Sequence, residues 1–224
     1  MKKNKFILLS HKITADTPVY SGTDKVVITQ IKDKQKGDSC NTFNLSFNNH
    51  TATHLDCPFH FSNNGKKLCD YKITDFIFEK PILLDIEKKS NTALTIDDLK
   101  KNADKIQNND LLLVRTHFEK YRNTEKYIFD NPFVLAECFE FIRKNWQTVR
   151  AFGIDTISIS NIKNREEGRA AHKSALARRK PIMLIEDMKL SAIKKNYKIR
   201  KIIAVPYFIE KIDAAPVTVI AELF

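Results

Sequence analysis

His50-Thr51-Ala52-Thr53-His54-Leu55-Asp56-Cys57-Pro58-Phe59-His60 gathers three of the chain's six histidines and an aspartate into one short segment. His50, His54, Asp56 and His60 share parity, so extended backbone would set them on one face of a strand. Full extension is excluded by reach, because ten residues at about 3.3 Å each would carry His50 and His60 roughly 33 Å apart. Pro58 pushes the residue before it out of the helical region, and Thr51 and Thr53 disfavour a helix. The segment is therefore expected to be a short extended piece that bends.

Three imidazoles and a carboxylate held together repel when protonated and lose hydration when buried, unless a cation compensates them. Neutral imidazole nitrogen and carboxylate oxygen suit zinc first, with manganese or iron as alternatives. His50, His54 and Asp56 are the expected ligands. A coordination position left to water would lower that water's pKa towards about 7. His60 then stands beyond the ligands, where an imidazole titrating near neutrality moves protons to and from a leaving group. A lone histidine is more often a surface or hydrogen-bonded structural residue, and His11 and His117 are read that way, as structural or pocket-lining. Cys57 has the opposite parity and reads as a small packing residue.

On the N-terminal side of this segment, Phe6 to Leu9, Val26 to Ile31 and Phe43 to Phe47 carry β-branched or aromatic residues between turn formers such as Ser21-Gly22. On the C-terminal side the pattern changes at Pro81. Short apolar runs alternate with helical periodicity: Ile82 to Ile86, a helix capped by Thr95 with Asp98 three residues on, then Leu111 to Val114. A helix from about Leu135 to Asn145 precedes Ala151 to Ile154, and another from about Arg165 to Arg179 precedes Ile182 to Ile185. Ile202 to Val205 and Val217 to Ala221 close the chain. This is an α/β layout with a mixed sheet and a β-rich N-terminal portion. No repeat, low-complexity tract or linker divides residues 1–224, so one domain is expected.

The 224 residues suffice for one core, and 42% apolar with 29% charged residues excludes a disordered or fibrous chain. The net charge of +11 is spread through nearly every turn and helix rather than clustered, which argues against nucleic acid as a partner. Its densest run, Arg178 to Lys180, follows a predicted helix, where cations complement the negative end of the macrodipole. Phe6 to Leu9, after Met-Lys-Lys-Asn-Lys, is too short for a signal-peptide core or a membrane span. A cytoplasmic protein without membrane association is expected, and its four cysteines, lacking any CxxC pairing, read as free thiols.

The His50–His60 segment resembles the cyclase family of metal-dependent hydrolases, the group that includes bacterial kynurenine formamidase and isatin hydrolase. The family pattern His-x-Gly-Thr-His-x-Asp-x-Pro-x-His is matched at every position except Ala52, which replaces the glycine and removes no ligand. Leu9-Ser10-His11 and Pro18-Val19-Tyr20-Ser21-Gly22 are similar to the family's opening, with Ser21 in place of a second proline. Val114-Arg115-Thr116, Gly153-Ile154-Asp155-Thr156, Ala215-Pro216-Val217 and Ile220-Ala221 follow in the family's order.

The resemblance implies a swivelling β/β/α fold assembled as a homodimer or homotetramer. It also implies a centre of one or two ions, with His50, His54 and Asp56 on the first and bridging Asp56, His172 and Glu186 on the second. The implied reaction is hydrolysis of the carbon-nitrogen bond of a small aryl formamide such as N-formylkynurenine, or of a cyclic amide, by metal-activated water with His60 as general acid and base. A lactone or polyketide-like substrate is the alternative. Tyr20, Phe59 and Phe61, with Phe118, are candidates for an aromatic wall around a flat substrate. Asp155 and Asp187 are candidates either for orienting ligand histidines or for strand-end turns. The rival reading, a metal-stabilised binding protein without turnover, is opposed by the presence of His60.

Overall fold

The computed structural model describes residues 5–224; the opening Met1–Asn4, part of the N-terminus read as lacking a signal peptide, lies outside them. In chain order the elements are β1 (Lys5–Leu8), β2 (Val27–Lys32), β3 (Thr42–Ser46), β4 (His54–Asp56), β5 (Ile77–Phe78), β6 (Pro81–Asp85), β7 (Ala93–Leu94), α1 (Ile96–Lys100), β8 (Leu111–Arg115), α2 (Glu125–Phe129), β9 (Phe133–Val134), α3 (Ala136–Asn145), β10 (Ala151–Ile154), α4 (Arg165–Leu176), β11 (Met183–Glu186), β12 (Ile199–Pro206) and β13 (Ala214–Leu223).

The alternation after Pro81 becomes the parallel half of one large mixed sheet. β6, β8, β10 and β11 run parallel, with α3 and α4 in the last two crossovers. Beyond β11 the sheet turns antiparallel through β4, β13, β12 and β5, and β1 joins β13. β5 and β6 stand at opposite ends of this order, yet only Glu79 and Lys80 separate them in sequence. The sheet must therefore curl until its ends approach, and the fold is nearly a barrel.

Alternation along the strands divides the core in two. Leu111 and Leu113 enter a cluster with Leu55, Ile185 and Val217 inside the curl. Leu112 and Val114 face Phe139 and Ile142 of α3 and Ala171 and Ala175 of α4. Covering both faces is what a parallel sheet requires, and it explains why these strands read as unbroken apolar runs. Thr95 caps α1 as its sequence indicates: its backbone N–H donates to Asp98 Oδ2 at 2.9 Å, and Asp98 N–H donates back to Thr95 Oγ1.

β2 and β3 are extended, as their residues predict, but they pair only with each other. Val27, Ile28, Ile31, Phe43 and Leu45 remain 43–60% exposed on this hairpin. Among the described residues no helix is long and apolar enough to cross a membrane.

Candidate active site and metal centre

The bend in the His50–His60 segment has two local causes. Ala52 adopts φ 56°, the left-handed region that costs a non-glycine residue roughly 1–2 kcal/mol, and this is the position where the family pattern carries glycine. Pro58 then starts a 3₁₀ turn over Pro58–His60. Only His54–Asp56 remain as strand, wedged between β11 and β13. In that register His54 stands opposite Glu186, and His54 Nε2 lies 3.4 Å from Glu186 Oε2 and 3.4 Å from Asp56 Oδ1.

His54 Nδ1 donates to the Ala52 carbonyl at 2.8 Å, which assigns the tautomer and leaves Nε2 as the electron-pair donor. His172 is held the same way, its Nδ1 against Gly168 O at 2.9 Å and Ser160 Oγ at 3.2 Å, so that Nε2 faces Glu186 Oε1 at 3.6 Å and Asp56 Oδ2 at 3.9 Å. Gly168 permits this, because a Cβ there would collide with Ser160. Glu186 Oε1 accepts from Ile159 N–H at 2.7 Å and Ser158 Oγ at 3.1 Å. His50 Nδ1 lies 3.0 Å from Asp56 Oδ1.

Asp56 is the shared member. The donor atoms of His54, Asp56 and Glu186 all lie within 4.8 Å of one another, as do those of His50, Asp56 and His60. The structure thus brings together all six residues expected at the metal centre or in proton transfer. Both oxygens of Asp56 and Nε2 of His54 are fully buried with no aligned hydrogen bond. A buried carboxylate without donors is costly, and a divalent cation satisfies these oxygen and nitrogen atoms together. The residues present fit such an ion.

Without a cation the cluster stabilises itself by protonation. Burial works against charge on every member, but carboxylates outweigh it for the imidazoles: Asp56 and Asp213 push His50 up to about 10, and Asp56 and Glu186 raise His54. His172 is raised by Glu186 and Asp56. Asp56 and Glu186 are held below the usual carboxylate range against the same burial by their histidine neighbours.

Asp213, just before β13, is the residue the sequence reading missed. Its Oδ2 accepts from His60 Nδ1 at 2.5 Å and from His50 Nε2 at 3.0 Å, and its Oδ1 accepts from Asn49 Nδ2 at 2.7 Å. Its backbone carbonyl accepts from Cys57 N–H and Sγ, both at 2.9 Å. Asp213 belongs to a run preceding Ala215-Pro216-Val217, and its distance along the chain from His60 leaves no spacing signal to find it by.

The cluster forms the floor of a cavity of about 420 Å³ whose wall includes Tyr20, Asn48, Phe61, Ile157, Ser158, Arg165 and Arg169. Tyr20 and Phe61 stand where an aromatic wall was expected, and Phe61 stacks on His172 with ring centroids 4.9 Å apart. Phe59 does not: the 3₁₀ turn directs it against the core, beneath Lys67 Nζ, outside the cavity lining. Phe118 is also away from the wall, fully buried against Tyr127.

Asp155 accepts from Thr116 N–H, Thr116 Oγ1 and His117 N–H, a strand-end turn role rather than contact with a ligand histidine. Asp187, left-handed at φ 49°, is gripped by Arg122 and by Tyr127 Oη at 2.6 Å, and its carbonyl accepts from Thr53 Oγ1 at 2.5 Å. This fixes the turn just after Glu186. His11 donates its backbone N–H to Thr53 Oγ1, and its ring lies 3.7 Å from Glu119. His117 pairs with Asp85 at 3.1 Å. Burial pushes the Cys57 thiol up to about 12, so it is a packed donor, not a nucleophile.

The chain is similar to several known proteins. A family model described as "Putative cyclase" matches residues 7–161, well over half of the chain. Kynurenine formamidase of Bacillus cytotoxicus is 27% identical over 222 residues, covering 98% of each chain. Among solved structures, isatin hydrolase A from Labrenzia aggregata superposes with a TM-score of 0.82 at 19% identity, over 98% of this chain and 93% of that one. A predicted metal-dependent hydrolase from Bacillus stearothermophilus gives 0.77 at 22% identity, over 98% of both.

Proposed function

The chain belongs to the putative cyclase family, and from that premise we propose that it is a metal-dependent amide hydrolase acting on a small aryl formamide or cyclic amide, with N-formylkynurenine as first candidate. The observation that carries this reading is the buried Asp56 carboxylate, set among His50, His54, His172 and Glu186 with no aligned hydrogen-bond donor, on the floor of an aromatic-walled cavity.

His50, His54, Asp56, His172 and Glu186 would hold one or two divalent ions, zinc first and manganese second. When bound, such an ion supplies Lewis acidity, polarising a carbonyl and acidifying water. The protein's own groups do the rest. Asp213 accepts the His60 Nδ1 proton and leaves Nε2 as the nitrogen that carries a proton to the departing amine. The same carboxylate stabilises the imidazolium that forms, as in other histidine-carboxylate pairs. Tyr20 keeps its phenol proton, since burial and Glu186 raise its pKa, and it is available as a donor at the cavity wall. Phe61 offers a flat apolar face.

The test is direct: load the protein with zinc or manganese, measure bound metal, and follow release of the arylamine from N-formylkynurenine and a set of aryl formamides and ring opening of a set of small lactams. Turnover that needs metal supports the reading, and a fully loaded protein inert towards the whole set would overturn it.

We also place the chain in a homodimer or homotetramer in the cytoplasm. The β2–β3 hairpin exposes Ile28, Phe43 and Leu45 on one face, which suits burial against another copy, and the chain's free cysteines suit a reducing compartment. A monomer in sedimentation at micromolar concentration would remove the oligomer.

A further inference from the structure

Arg165 and Arg169 break the local rules of the helix that carries them. Arg165 opens α4, where the macrodipole disfavours a cation, and Arg169 follows one turn later. They are four residues apart, so their like charges face each other about 6 Å along the helix axis. Glu166 is three residues before Arg169 and could pair with it, but neither guanidinium, both on exposed side chains, forms a hydrogen bond or ion pair with any described residue. Both side chains line the cavity that holds the metal-binding cluster, whereas Glu166 and Glu167 do not. Apart from members of that cluster, they are the charged groups on the cavity wall. Local misfit at the rim of a reactive cavity is the signature of a group kept for a ligand.

We infer that Arg165 and Arg169 form an anion subsite that selects, among the aryl amides proposed above, those carrying a free carboxylate at the end remote from the scissile bond. The inference rests on the hydrolase reading for its substrate, but the subsite itself is separable. The two guanidiniums present planar forks that match a carboxylate. Tyr20 feels the Arg165 charge and shares the cavity wall, so the ring of such a substrate would lie between the arginines and the cluster, against Tyr20 and Phe61.

The experiment uses the metal-loaded protein and a matched pair, an aryl formamide ending in a carboxylate and its methyl ester. The wild type is expected to favour the acid by about tenfold to a hundredfold in kcat/KM, chiefly through KM, as one or two charge-assisted hydrogen bonds give. In R165A/R169A the acid-to-ester ratio should fall to near one, and R165K/R169K should recover part of it. An unchanged ratio in the double alanine variant, or no preference in the wild type, would overturn the subsite. Calorimetric titration with the amino-carboxylate product and its ester reads the same subsite without turnover. If neither formamide is hydrolysed but the acid product still binds through the arginines, the hydrolase reading fails while the anion subsite stands.

Discussion

Replacing Asp213 with Asn changes one atom type and removes one charge, at a point where two histidines converge. The wild-type carboxylate accepts from His60 Nδ1 at 2.5 Å and His50 Nε2 at 3.0 Å, and these imidazoles hold it well below the usual carboxylate range against the burial that opposes them. An amide oxygen in the place of Oδ2 can still accept from both rings, but it is neutral and cannot stabilise an imidazolium as the carboxylate does. The expected loss in kcat is about 10²–10⁴-fold, the range for losing a positioned general acid or the carboxylate that orients it. Each charge-assisted hydrogen bond contributes about 1.5–3 kcal/mol and a neutral one about 0.5–1.5, so weakening the two costs a net of about 2 kcal/mol. For a chain of this size that lowers Tm by about 4–8 °C. The assay is arylformamide hydrolysis at saturating metal, because His50 also faces Asp56 and a loosened His50 would weaken metal binding by about 10–100-fold. The linkage sign is that of a depressed carboxylate: its stabilisation is present above the unfolded-state pKa near 4 and is lost as pH falls. The variant should therefore show a shallower loss of stability on acidification. A D213N protein that keeps its metal and retains kcat within about threefold would refute the orienting role.

His60→Ala should keep its metal and lose turnover by about 10²–10⁴-fold, measured by elemental analysis beside the kinetic assay; undiminished turnover would end the proton-transfer assignment. Asp56→Ala should lose metal, and the wild type should lose about 2.7 kcal/mol of apparent stability when a chelator strips ions present at a hundred times their Kd; full occupancy in D56A or a Tm indifferent to chelation would contradict the centre. His11 is lowered to about 4 because burial, helped by Arg122 and Lys189, outweighs the attraction of Asp187. A depressed histidine binds its proton in the unfolded chain first, so its stabilising effect is complete above about pH 6.5 and declines towards pH 4, by up to about 3 kcal/mol. Urea titrations of His11→Gln should show that decline flattened, and a slope equal to that of the wild type would count against a neutral, buried imidazole.

What was legible in the residues was local. Parity, reach and Pro58 required the His50–His60 segment to bend and to crowd imidazoles around Asp56. The Thr95–Asp98 box marked α1, and the apolar runs after Pro81 marked strands alternating with helices. Each follows from the periodicity of strand or helix, which a short window contains. Four features depended on the tertiary structure. Glu186 reaches His54 because β11 and β4 pair in one register. Asp213 reaches His60 because β13 lies on the other edge of β4. Phe59 turns to the core while Phe61 faces the cavity, although the two share parity, because the 3₁₀ turn breaks the alternation. The β2–β3 hairpin is extended as read but excluded from the main sheet. Which distant segments become neighbours is set by the summed packing of the whole curled sheet, a quantity spread over every strand and absent from any local pattern.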